Sequence, residues 1–269
     1  MILSRIASTF AHLSGLNRKA LIPFFTVGDP LLESAVPTMQ ALVSGGADIL
    51  ELGIPFSDPM ADGPTIQRAS ERALQNGVTL TDVLAVVTEF RQTDGMTPVV
   101  LMGYANPIER LGLDAFALQT RAAGVDGVLV VDYPPLEARH LKAALTLVGI
   151  DTIFLLSPTT TEQRMREIAQ LATGYLYYVS LRGVTGAGHL EVEAVATQVA
   201  RIRSYAKVPV GVGFGIRDGA TARRLSEVAD AVVVGSRLVE EIEASTPTEV
   251  PRRAEALMRQ FRLAMDGAQ

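Results

Sequence analysis

The stretch DILELGIPFSDPMADGPTIQ, Asp48 to Gln67, starts as an apolar run, turns through prolines and glycines, and carries the four acids Asp48, Glu51, Asp58 and Asp62. An extended backbone puts Ile49, Glu51 and Gly53 on one face. A carboxylate in such a run is costly to bury unless something pairs with it. Glu51 is therefore either half of a structural ion pair or an acid–base group tuned by an apolar site. Asp62 precedes Gly63, and Asp-Gly is by itself a common turn pair.

Working outward, the apolar part of this stretch is one of eight short runs at fairly even intervals: ALIPFF (20–25), ADILEL (47–52), PVVLM (98–102), GVLVV (127–131), DTIFLL (151–156), YLYYV (175–179), VPVGVGF (208–214) and DAVVVG (230–235). Several are continuous rather than alternating, as in strands covered on both faces. Amphipathic segments lie between them, and glycines at 45, 124, 149 and 174 stand where helix C-caps are expected. Strand and helix alternate throughout, which implies a parallel sheet. Eight units in roughly 250 residues favour a closed (β/α)8 barrel, the TIM barrel, as one domain over residues 1–269. An open doubly wound sheet is the alternative, but FTVGDP after the first run is not a dinucleotide-binding turn. Ile2, Ile6, Phe10 and Leu13 recur at helical spacing and predict an extra N-terminal helix, and the segment from Val250 reads as a last helix on the outside.

The chain has 269 residues, 48% of them hydrophobic, enough for one large core. Its net charge of -5 is spread along the chain without a basic tract, which argues against a nucleic-acid partner. With no cysteine there is no disulfide and no thiolate metal site, and a reducing compartment fits. No metal site is expected. The N-terminus lacks the apolar core of a signal peptide, and no run is long enough to span a membrane, so a soluble cytoplasmic protein is expected.

A barrel of this kind places its chemistry at the C-terminal ends of its strands. There, GVGFGIRDG (Gly211–Gly219) and VVGSR (Val233–Arg237) allow close backbone approach to an anion, with a helix beginning after each turn to add its positive end. They are equally what tight turns at strand ends require. YYVSLRGVTGAGHL (Tyr177–Leu190) closes a strand and opens a glycine-rich loop, either a lid or an ordinary connection.

With LELGIPFSDPMADGPTIQ, and in order PFFTVGDP, LMGYANP, GVDGVLVVDYP, GVTG, VGFGI and VVVGS, the sequence resembles the α subunit family of tryptophan synthase from about Leu21 to the last helix. The resemblance implies a lyase of tryptophan biosynthesis without a cofactor of its own. Such an enzyme cleaves indole-3-glycerol phosphate to indole and glyceraldehyde 3-phosphate. It also implies a β-subunit partner that carries pyridoxal phosphate, an α2β2 assembly, and indole passing between subunits. Glu51 then matches the catalytic glutamate, and Asp62 the aspartate on the indole nitrogen. Phe24, Ile66, Tyr104, Leu129, Tyr177, Thr185 and Phe214 match substrate-binding positions. Gly186, Gly213, Phe214, Gly215, Gly235 and Ser236 match the phosphate site. Asp58 and Pro59 match contacts to the β subunit. Two departures fall in the lid: Leu181 stands where many members carry an arginine, with Arg182 one place on, and the loop continues Gly-Ala-Gly-His. A stand-alone lyase releasing indole, an inactive barrel serving as an allosteric binding subunit, and another phosphate-binding barrel enzyme are the alternatives.

Overall fold

A computed structural model describes residues 4–179, 188–213 and 215–267. Eight parallel strands close into a barrel in sequence order: β1 (Ala20–Thr26), β2 (Leu50–Gly53), β3 (Val99–Gly103), β4 (Gly127–Val130), β5 (Asp151–Leu156), β6 (Leu176–Val179), β7 (Val210–Gly213) and β8 (Ala231–Val234). β1 pairs with β8 to complete the ring. The fold is the (β/α)8 barrel that the alternation of runs predicts.

All seven residues of β1 are buried, because helices cover the outside of the barrel and side chains fill its inside. Parity along each strand sorts the two layers. Leu21, Phe25, Leu50 and Leu52 pack outward against the helices. Ile22, Ile49, Val100, Leu129, Ile153, Tyr175, Tyr177 and Val233 pack inward with Ile6, Phe10 and Leu13. Glu51 shares the inward parity of Ile49.

The last three inward residues belong to helix α1 (Arg5–Gly15), which plugs the N-terminal end of the barrel. Ser4 caps it by accepting from the Ala7 amide at 3.2 Å, and its own hydroxyl donates to Asp151 at 2.6 Å. Arg5 pairs with the buried Asp126 at 2.8 Å. Burying Ile6, Phe10 and Leu13 stabilises this closure by about 1.5–3 kcal/mol per side chain.

Helices α2 (Ala35–Ser44) and Val250–Asp266 pack against each other on the outside. Their contact explains one departure from the expected caps. Gly45 follows α2 in a right-handed conformation, and a Cβ there would sit 2.7 Å from the Glu255 carbonyl. Close helix approach, not a left-handed turn, requires that glycine, and Gly46 takes the positive φ of 101°. Gly124 is a left-handed C-cap as expected. Gly149 follows the cap residue Val148 with φ of 74°, the left-handed glycine expected at that helix end, whereas Ala172 caps the helix before Gly174.

Candidate active site

The C-terminal ends of the strands surround a cavity of about 610 Å3. Its walls bring together Glu51, Asp62, Phe24, Ile66, Tyr177, Gly215, Gly235 and Ser236. Glu51 comes from β2, and Asp62 from the loop that leads into helix α3 (Pro64–Gln75). Strand, loop and helix thus deliver both acids of the Asp48–Gln67 stretch to one space.

Glu51 is fully buried. Its Oε1 accepts a hydrogen bond from the hydroxyl of Tyr175, the residue just before β6, and its Oε2 has no partner among the described residues. Burial raises its pKa to about 7, against the lowering effect of the Tyr175 hydrogen bond. A carboxyl group poised there exchanges a proton near neutral pH in either direction.

Asp62 is held from behind. The Tyr104 hydroxyl donates to Asp62 Oδ2 at 3.0 Å and accepts from the Ala61 amide at 3.0 Å. Gln67 donates to the Asp62 carbonyl at 2.9 Å. Burial pushes the Asp62 carboxyl above the usual carboxylate range, and the hydrogen bond from Tyr104 opposes it.

The two anion loops are not equivalent. Asp218 accepts from the Thr221 amide at 2.7 Å, so a carboxylate already occupies the N-terminus of helix Gly219–Ser226. Helix Ser236–Glu243 begins at the cavity wall, and no side chain caps it. Of these two helices only the second presents its N-terminus to the cavity without a side-chain cap, which corrects the expectation of a free positive end after each turn. Gly215 reaches the cavity from the first loop with φ of 73°, a conformation that favours glycine.

The sequence profile of the family described as "Tryptophan synthase alpha chain" matches residues 10–266. The chain belongs to the tryptophan synthase alpha chain family. The alpha chain of Burkholderia multivorans is 59% identical over 266 residues, covering 99% of this chain and 98% of the relative. That of Dechloromonas aromatica is 59% identical over 264 residues, covering 98% of each. The crystal structure of the alpha subunit from Legionella pneumophila superposes with a TM-score of 0.91 at 45% identity, covering 99% of this chain and 100% of that one. A structure of tryptophan synthase from M. tuberculosis, in an open form with BRD0059 bound, gives 0.87 at 37% identity, covering 98% and 99%.

Three residues that the resemblance to the alpha chain family placed at the substrate do not face the cavity. Leu129 lies one layer deeper in the barrel, with Ile153 and Tyr175, and Val131 lines the cavity from that side. Tyr104 lines a narrow crevice behind Asp62, to which its hydroxyl donates. Gly213 lies against Tyr177, where a Cβ would collide with the phenol hydroxyl, so this glycine makes room for a side chain. Thr185, Gly186 and Phe214 lie outside the described residues, as do Leu181 and Arg182 and the side chain of His189. Asp58 is exposed and Pro59 partly buried on the loop after β2, and the Ser57 hydroxyl donates to Asp58 at 2.5 Å.

Tyr175 is the residue that the sequence reading passed over. It stands two positions before Tyr177, at the residue that leads into β6, and packs inward with it, so that spacing alone could have marked it. Among the described residues no helix is long and apolar enough to cross a membrane.

Proposed function

We propose how the barrel, taken as one domain, performs the alpha reaction of tryptophan synthase: retro-aldol cleavage of indole-3-glycerol phosphate to indole and glyceraldehyde 3-phosphate. Glu51 in its protonated form delivers a proton to indole C3. The ring nitrogen becomes cationic, and Asp62, ionised, accepts the hydrogen bond of its N–H and stabilises that charge. Glu51, now a carboxylate, takes the proton of the glycerol hydroxyl next to the ring. The C–C bond breaks, its electrons return to the indole ring, and the hydroxyl carbon becomes the aldehyde. The proton removed equals the proton delivered, so Glu51 ends as it began.

The phosphate binds at Gly215, Gly235 and Ser236, where the uncapped end of helix Ser236–Glu243 favours a dianion. In this reading Phe214 and Gly186 add backbone groups, and Gly213 acts by giving Tyr177 its place. Phe24, Ile66 and Tyr177 wall the indole pocket, and Thr185 closes over Asp62 as the lid threonine.

The chain needs no cofactor for this reaction. Its partner is the β subunit, which carries pyridoxal phosphate and receives indole in an α2β2 heterotetramer docked through Asp58 and Pro59. The setting is the cytoplasm.

One observation carries the reading: a buried carboxyl group tuned to about 7 shares a cavity with a second acid and an uncapped helix end. The test is indole release from indole-3-glycerol phosphate, with and without a β subunit. Slow release by the chain alone that rises with β is expected. No release under either condition would overturn it.

A further inference from the structure

At the opposite end of the barrel lies a second hollow, of about 320 Å3. Arg18 and Lys19 enter it just before β1, Lys207 and Pro209 just before β7, and Asp230 just before β8. Phe10, Leu13, Ser14 and Asn17 reach it from α1 and the turn that follows. Nothing in the alpha reaction uses it.

Its charges do not balance. Arg18 donates from Nε and Nη2 to the two carboxylate oxygens of Asp266, at 3.2 and 3.0 Å. Asp266 also takes Arg262 at 2.6 Å, and Arg262 in turn pairs with Asp48 at 3.1 Å. Those two guanidinium groups face two carboxylates and are neutralised. Asp230 has a harder task. Its Oδ2 accepts from the Val210 amide at 2.9 Å, and its Oδ1 faces both Arg203 at 2.8 Å and Lys19 at 3.9 Å. Lys207 makes no ion pair among the described residues. Lys19 and Arg203 share the Asp230 carboxylate, and Lys207 adds a third cation to the same hollow, a surplus of two positive charges on a chain whose net charge is -5.

We propose that this hollow binds a small organic phosphate monoester. A monoester is close to a dianion at neutral pH, which matches the surplus. Arg203, Lys19 and Lys207 supply charge-assisted donors, the first of them a planar fork suited to phosphate oxygens. The Val210 amide fixes Asp230 in place, so Lys19 can turn to the ligand without loss of the strand contact. The apolar edges of Phe10, Leu13 and Pro209 give the organic part a floor, and the volume lies at the small end of ligand pockets.

The test uses the full chain labelled with nitrogen-15 and titrated at constant ionic strength with phenyl phosphate, inorganic phosphate and benzoate. The Asn17, Lys207 and Val210 amides report the hollow, and the Gly235 and Ser236 amides report the catalytic face separately. Expected is a saturable shift at the hollow with phenyl phosphate, with binding at least fivefold weaker for the other two probes. Lys207→Glu should weaken it tenfold or more while leaving indole release unchanged. No saturable shift at the hollow, or a shift that survives Lys207→Glu unaltered, overturns the site. Benzoate binding as tightly as phenyl phosphate overturns the dianion, and inorganic phosphate doing so overturns the organic floor.

Discussion

Tyr104 holds Asp62 through a hydroxyl that donates to its Oδ2 at 3.0 Å, while the Tyr104 ring stacks on Phe56 at 5.1 Å between centroids. The phenol thereby links an aromatic of the β2–α3 loop to the acid that faces the cavity. Asp58 and Pro59 lie on the same loop, so whatever restrains that loop also restrains Asp62.

Tyr104→Phe keeps the stacked ring and removes the donor. A hydrogen bond to a charged group contributes about 1.5–3 kcal/mol, so kcat/KM should fall by about tenfold or more. The bond lowers the Asp62 pKa, so its loss raises that pKa further. The acid limb of the kcat/KM profile should therefore move to higher pH. A profile that coincides with wild type would remove Tyr104 from the positioning of Asp62.

Glu51→Gln should lower kcat by at least about a hundredfold with the fold retained, since an amide cannot cycle the proton. It should also change how stability depends on pH. In the folded chain Glu51 has a pKa raised from 4.5 to about 7. Its protonated form is the one the fold accepts, so its favourable state is fully present below the unfolded pKa and is lost as pH rises through about 7. That difference corresponds to about 3 kcal/mol. Urea denaturation of both proteins at pH 4.5 and pH 8 measures it. The stability of the glutamine variant relative to wild type should rise by about that amount between the two.

Tyr175→Phe takes away the hydrogen bond that Glu51 accepts, the only one it has among the described residues. That bond lowers the Glu51 pKa, so without it the pKa climbs above about 7. Cleavage begins with protonated Glu51, so the alkaline limb of kcat/KM should shift upward in pH. Equilibrium stability should drop by about 1–3 kcal/mol for the unpaired buried oxygen. An unmoved alkaline limb would mean that Glu51 is not the group titrating there.

Gly215→Val tests the phosphate site. The φ of 73° strains any β-branched residue by about 1–3 kcal/mol, and the side chain blocks backbone approach to an anion. The KM for indole-3-glycerol phosphate should rise by more than about tenfold, whereas Ser236→Ala should change it only about two- to threefold. Equal effects of the two substitutions would place the phosphate elsewhere.

The sequence by itself determined the strand count, the closed parallel barrel, and which face each residue of a strand takes. Those follow from local rules: apolar runs bounded by turns, and side chains that alternate with period two. Parity put Glu51 inside correctly. Parity cannot say how deep a residue sits, because depth depends on how neighbouring strands are staggered as the sheet closes. Leu129 and Val131 share a face, and only the closed barrel puts Leu129 in the packed layer and Val131 at the cavity. Tyr175 meets Glu51 across 124 residues, and Tyr104 meets Asp62 across 42. Those bonds tune the two acids, yet they join strands and loops that have no common pattern in the chain. The surplus charge at the far end has the same origin: three strand starts and one helix end bring Lys19, Arg203, Lys207 and Asp230 to a single hollow, and no stretch of sequence contains them together.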